Sequence, residues 1–175
     1  MILGIVVTVA YMDIIQRRVI KIRLWHYKLL SGLPKNQLVA QLRECVAIAK
    51  SIKENGTPNH ILVNKIMDYD LEEFRKYCNM VIYEMVCERS YKVSEKTINK
   101  LEEYIDFNVD TSCINDTIFK NWHNVRYANQ CYSNLEEKYD CKGLTEDEWS
   151  KFIDSFAEYV SKTLEKIILS LGFKI

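Results

Sequence analysis

Apolar residues recur at helical spacing through most of this chain. After Pro34, the residues Leu38, Leu42, Cys45, Ala49 and Ile52 form one stripe, the mark of an amphipathic helix with a single buried face. Pro34 suits the first turn, because its missing N–H falls where no intrahelical acceptor exists. The helix should run to about Glu54, where Asn55-Gly56 offers a left-handed stop. Gln37, Gln41 and Glu44 then fall together on a neighbouring polar face. Thr57-Pro58 reads as the cap and first residue of a second helix. Asp70-Leu71-Glu72-Glu73 reads as a capping box before a core stripe of Leu71, Phe74, Cys78, Val81, Ile82 and Met85. Ser90 to Val93 is a connector, and Ser94 can cap a helix through Ile105. Residues 106–117 lack a period and predict a loop. A helix from about Ile118 to Asp140 is expected to carry Trp122, Arg126 and Gln130 on one face, closed by Lys142-Gly143. Thr145-Glu146-Asp147-Glu148 is a further capping box. It opens the strongest amphipathic segment, with Trp149, Phe152, Ile153, Phe156, Val160, Leu164, Ile167, Ile168 and Leu171 in one broad stripe. That stripe predicts a core or dimer helix.

The 175 residues, 48% of them apolar, suffice for one core and are few for two. Five Gly and two Pro are too few turns for a sandwich or barrel. The expected fold is therefore all-α, a single compact multi-helix domain. Six cysteines without a CxxC pair read as reduced thiols of a cytosolic, cytoplasmic protein. His26, His60 and His123 lie in different elements without metal-ligand spacing, and no phosphate-cradling glycine loop is present. Neither a metal nor another cofactor is expected.

Met1 to Met12 are almost wholly apolar. They are too few to span a bilayer as a helix, which takes about 20 residues, so no stable membrane insertion is expected. They also lack the basic start and small-residue cleavage site of a signal peptide. Residues 1–21 read as an apolar and basic extension, either a buried strand or a wrongly assigned start. We expect the latter. Arg17-Arg18 can be encoded by AGGAGG, a ribosome-binding sequence, which would put the true initiator methionine in place of Ile22.

The formal charge is zero, yet it is unevenly spread. Between Ile14 and Lys53 nine basic residues face one acid, Glu44. Phosphate neutralisation supplies most non-specific affinity for DNA, so this field suits DNA binding. Charge alone leaves an ordinary solvated face equally open.

The basic segment contains Arg23-Leu24-Trp25-His26, then Leu33-Pro34, Gln37-Leu38 and Gln41-Leu42-Arg43-Glu44-Cys45. It sets Glu44 on a helix 21 residues after Arg23. Residues 22–54 resemble the opening of the pyrimidine dimer DNA glycosylase family, and Tyr91-Lys92-Val93 resembles a later segment. Residues 22–105 are similar to the family core, and residues 106–175 look like extra helices of an extended bacterial or phage branch.

The resemblance implies a helical DNA repair protein that excises bases from double-stranded, damaged DNA and cleaves the strand. Such chemistry needs an unprotonated amine to attack the sugar and form an imine, and a carboxylate to stabilise the cationic sugar and shuttle protons. Glu44 takes the carboxylate role, and Arg23 marks the position of the reactive amine. Arg43 would hold phosphate or the target strand. Gln37, Gln41 and His26 would donate to backbone or base edges, Trp25 would stack on or wedge beside an unpaired base, and Arg126 would belong to a second DNA-facing surface. The sequence also departs from the family pattern: Arg23 stands where the family has a small reactive threonine, Gln37 where it has a histidine, and Ala47 where it has an arginine. Because Ile22 precedes Arg23, the Arg23 nitrogen is an amide in this chain, which leaves Lys21 or Lys28 as substitute amines. A noncatalytic helical DNA-binding or protein-interaction module is the alternative reading, and a peripheral membrane-associated helical protein the third. The oligomeric state is left open.

Overall fold

A computed structural model describes residues 23–172, so the apolar leader, Lys21 and the proposed start at Ile22 lie outside the described residues. Five α-helices follow one another: α1 Lys35–Asn55, α2 Leu71–Tyr83, α3 Glu95–Ile105, α4 Val125–Asp140 and α5 Glu146–Ser170. Short 3-10 turns at Tyr27–Gly32, Asn64–Asp68 and Ser112–Asn115 connect them, and a π turn, Glu84–Glu88, extends α2. No strand occurs among the described residues. The fold is all-α, in a single domain.

The helix ends follow local chemistry closely. Pro34 precedes α1, and Gly56 ends it in the left-handed region at φ 70°. Asp70 caps α2 by accepting from the Glu72 N–H. Glu73, however, does not close that capping box, because its carboxylate accepts from the distant Phe119 N–H. In α5 both halves of the box form: the Thr145 hydroxyl accepts from the Glu148 N–H, and the Glu148 carboxylate accepts from the Thr145 N–H.

Two expected helix starts are corrected. Thr57-Pro58 opens no α-helix. Asn59 sits at φ 55°, and the Asn64 side chain accepts from the His60 N–H at 2.8 Å, folding the segment into turns. Local side-chain hydrogen bonds of this kind compete directly with helix formation. Similarly, α4 begins at Val125 rather than near Ile118, so Trp122 is not on the helix with Arg126 and Gln130. Phe119 and Asn121 take positive φ, 51° and 73°. That turn lets Phe119 enter the core beside Tyr69, Tyr77 and Trp122, and Asn124 then caps α4 by accepting from the Tyr127 N–H.

One continuous core joins both halves of the chain, from Leu24, Leu38, Cys45 and Phe74 through Leu101 and Phe119 to Leu135 and Phe152. α1 packs on α2 and α3, and α5 packs on α4 and on the Tyr27–Gly32 turn. The last contact is close. A Cβ on Gly32 would lie 2.6 Å from the Ser155 Cβ, so only glycine lets α5 approach. Trp149 and Phe152 anchor α5 in the core, whereas Leu164, Ile167, Leu169 and Leu171 further along it are exposed. The apolar stripe is thus a core face at one end and an uncovered face at the other. Among the described residues no helix is long and apolar enough to cross a membrane.

Candidate active site

The site is built on residues 23–27, an extended segment followed by the first 3-10 turn, whose backbone is held by side chains from both halves of the chain. On one side lies the polar face of α1. The Trp25 N–H donates to Gln41 Oε1 at 2.9 Å, and the Arg23 N–H donates to Glu44 Oε2 at 3.4 Å. On the other side Tyr77 donates its hydroxyl to the Trp25 carbonyl at 2.9 Å, and Tyr127 does the same to the Leu24 carbonyl. A buried peptide group without a partner would cost about 1–3 kcal/mol, so these four contacts fix the segment where it stands.

Gln37, Gln41 and Glu44 do share one face of α1, as their spacing predicts. Gln37 Oε1 accepts from Lys138 Nζ of α4 at 2.6 Å, and that ammonium also lies 5.7 Å from the centre of the Trp25 ring. Arg23, Glu44 and Lys138 act on one another's charge around one mouth, although Lys138 comes from the far half of the chain. Beside Arg23 a cavity of about 310 Å³ is walled by Tyr127, Gln130, Cys131 and Asn134 of α4 and by Leu62.

Glu44 is half-buried, and desolvation pushes its pKa up to about 7, against the opposing Arg23 N–H and the positive charges of Lys138, Arg23 and Arg43. Burial disfavours the charged carboxylate more than its cationic neighbours favour it. Lys138 is held below its ordinary range by burial of the amine and by the Arg23 charge, with Glu44 pulling the other way. Burial raises the Cys131 thiol to about 11, which leaves it inert at neutral pH.

Arg43 is exposed next to Glu44 and lines a groove of about 640 Å³ with Lys35, Tyr91, Lys92 and Lys100. Among the described residues no carboxylate lines that groove. Arg126 is exposed on α4, one turn before Gln130.

Three of the residues expected to contact DNA are buried. His26 and Gln41 are fully buried, and Trp25 is 5% exposed. Gln41 holds the Trp25 backbone, and Trp25 packs edge-on against Phe152, so none of the three can reach a base without opening the core. His26 instead stacks on His123, ring centres 5.1 Å apart. Each imidazole accepts a backbone N–H at Nδ1, from Lys28 and Tyr27 respectively, and each Nε2 is buried without a partner. Lys28, one proposed substitute amine, stands over the Tyr27 ring and lines a different cavity, with Lys162 and Lys166, so it is not at Glu44. Sequence reasoning missed Lys138 as part of the site, since no local pattern links it to a residue 101 positions earlier. Among the described residues no group of His, Cys, Asp or Glu could hold a metal ion.

A family model described as pyrimidine dimer DNA glycosylase matches residues 22–99. No curated protein and no solved structure matches the chain. The matched segment holds Arg23, Arg43, Glu44 and Lys92 and stops before α4, so Tyr127 and Lys138 lie beyond it. Over residues 22–99 the chain is thus similar to the pyrimidine dimer DNA glycosylase family.

Proposed function

We propose that this protein is a DNA repair base-excision enzyme, a DNA glycosylase and abasic-site lyase acting on damaged duplex DNA, with Glu44 as its catalytic carboxylate. The observation that carries the reading is the half-buried Glu44 carboxylate against the Arg23 nitrogen, inside the segment that matches the family. A pKa near 7 lets Glu44 both donate and accept a proton at neutral pH. The acid-free groove carrying Lys35, Arg43, Lys92 and Lys100 begins at the residue beside it. Four cations tracking one groove suit the phosphates of a strand whose sugar is delivered to Glu44.

In this reading an amine attacks C1′ of the target sugar and the damaged base leaves with the electrons of its glycosidic bond. The C1′–O4′ bond then opens to give an imine, while Glu44 supports the cationic sugar and then takes the C2′ proton, so that the 3′-phosphate leaves. The test is borohydride trapping on duplex DNA carrying an abasic site or a cyclobutane dimer. A covalent adduct that Glu44→Gln diminishes, together with loss of strand cleavage in that variant, supports the enzyme. One observation favours a second reading: the Arg23 nitrogen is bonded to Ile22 and cannot form an imine. A noncatalytic DNA-binding module would bind the same duplex without any adduct.

A further inference from the structure

We infer that Lys138 is the amine of this site, a nucleophile supplied by α4 to the sugar of an abasic nucleotide. The inference rests on the base-excision reading and adds a residue outside the segment that matches the family.

Among the described residues the geometry singles out this lysine. Lys138 lies in the last turn of α4, on the face that carries Cys131 and Asn134 into the cavity beside Arg23. Its Nζ donates to Gln37 Oε1, on the face of α1 that carries Gln41 and Glu44, and lies over the ring of Trp25, two residues after Arg23. The amine is thus tethered between the helix face that carries Glu44 and the segment that carries Arg23, and its charge acts on both. Its hydrogen bond goes to a neutral amide oxygen rather than to a carboxylate, so no ion pair among the described residues has to be broken before it reacts. An ordinary lysine, with a pKa of about 10.4, is almost wholly protonated at pH 7. Burial beside a fixed arginine lowers that barrier. Lys28 is engaged elsewhere, and the Arg23 nitrogen is an amide.

The step balances without a cofactor. Neutral Lys138 Nζ adds to the C1′ aldehyde of the ring-opened abasic sugar, and the C–N bond forms as the carbonyl oxygen departs as water, leaving a protonated imine. The imine acidifies C2′. Glu44 removes a C2′ proton, the electron pair moves toward C3′, and the 3′ C–O bond breaks with the phosphate as leaving group. Water then hydrolyses the imine and returns the aldehyde and free Lys138.

The experiment uses the full chain, duplex DNA with one abasic site and sodium borohydride, followed by proteolysis and mass mapping of the reduced adduct. The adduct is expected on Lys138. Lys138→Arg, which keeps the charge and the donor to Gln37, should lose about 10-fold or more of the adduct, while duplex binding and melting temperature stay near those of the native chain. Lys96→Arg, on the exposed surface of α3, should trap normally. An adduct on the amino terminus or another lysine, or full trapping by Lys138→Arg, overturns the assignment and leaves the lyase reading standing. No adduct from the unaltered chain overturns both.

Discussion

Two polar centres flank the extended segment at residues 23–27, and they differ in what their burial does. Around His26 and His123 the core closes completely. Desolvation lowers His26 to about 4 and His123 well below its ordinary value, so both stay neutral at physiological pH. Their Nδ1 atoms serve backbone groups and their Nε2 atoms serve nothing. Around Glu44 the burial is partial, the titration falls near neutrality, and Arg23, Arg43 and Lys138 all act on the carboxylate. A buried titratable group is therefore not in itself a site. What separates the second centre is access, mobile charge nearby and a proton that moves at working pH.

The sharpest way to break this contrast is Glu44→Gln. Strand cleavage at an abasic site should fall by about 10²–10⁴-fold, the usual weight of a positioned general acid or base, with helical content unchanged by circular dichroism. If cleavage persists, the two centres are not functionally distinct.

Next in size is His123→Leu, which leaves the Tyr27 N–H without its acceptor. Urea denaturation at pH 7 should show a loss of about 1–3 kcal/mol, whereas trapping per folded molecule should be retained. The same variant tests the pH dependence. A base whose pKa is lowered on folding stabilises the native state above its unfolded value of 6.5, and that contribution is lost as pH falls below 6.5, towards about 4 for His26 and with the same sign for His123. The native chain should weaken across that window, and His123→Leu should weaken less steeply.

Glu44 runs with the opposite sign. Its folded pKa is raised, so the native state holds a proton that the unfolded state has released between pH 4.5 and about 7, and stability falls as pH rises through that range. Glu44→Gln should consequently be more stable than the native chain at pH 8, by about 1–2 kcal/mol once solvent screening is allowed for. The gain should vanish at pH 4. Equal stability of the two proteins at pH 8 would contradict the desolvation argument.

The smallest effect concerns the groove. Arg43→Ala should weaken duplex binding across sequences and reduce the slope of log affinity against log salt by about 1. An unchanged slope would remove Arg43 from the phosphate path.

Much of this was legible locally. Pro34, Gly56, Asp70, Ser94 and Thr145 mark helix boundaries through their own backbone preferences, and the 3.6-residue period brings Gln37, Gln41 and Glu44 to one face. The failures share one cause. Residues 118–124 take a turn because Phe119 and Trp122 pack against aromatics tens of residues away, and Gln41 and His26 are buried by neighbours that no spacing announces. Lys138 reaches the mouth only through tertiary folding. Sequence periodicity thus sets Glu44 on one face with Gln37 and Gln41, and only the packed chain brings Lys138 to that face.

The hydroxyl of Tyr127 on the Leu24 carbonyl spans 103 positions of sequence, and this has a consequence for synthesis. A ribosome delivers the segment around Arg23 and the whole of α1 well before α4 emerges. Contacts of such separation form late, after the cost of closing a long loop has been met. The growing chain therefore makes the contacts of Gln41, Glu44 and Tyr77 with that segment early, and the fourth, from Tyr127, only in the last third. Products of premature termination should hold the segment by three of its four contacts, with the arrangement completed only once α4 is made.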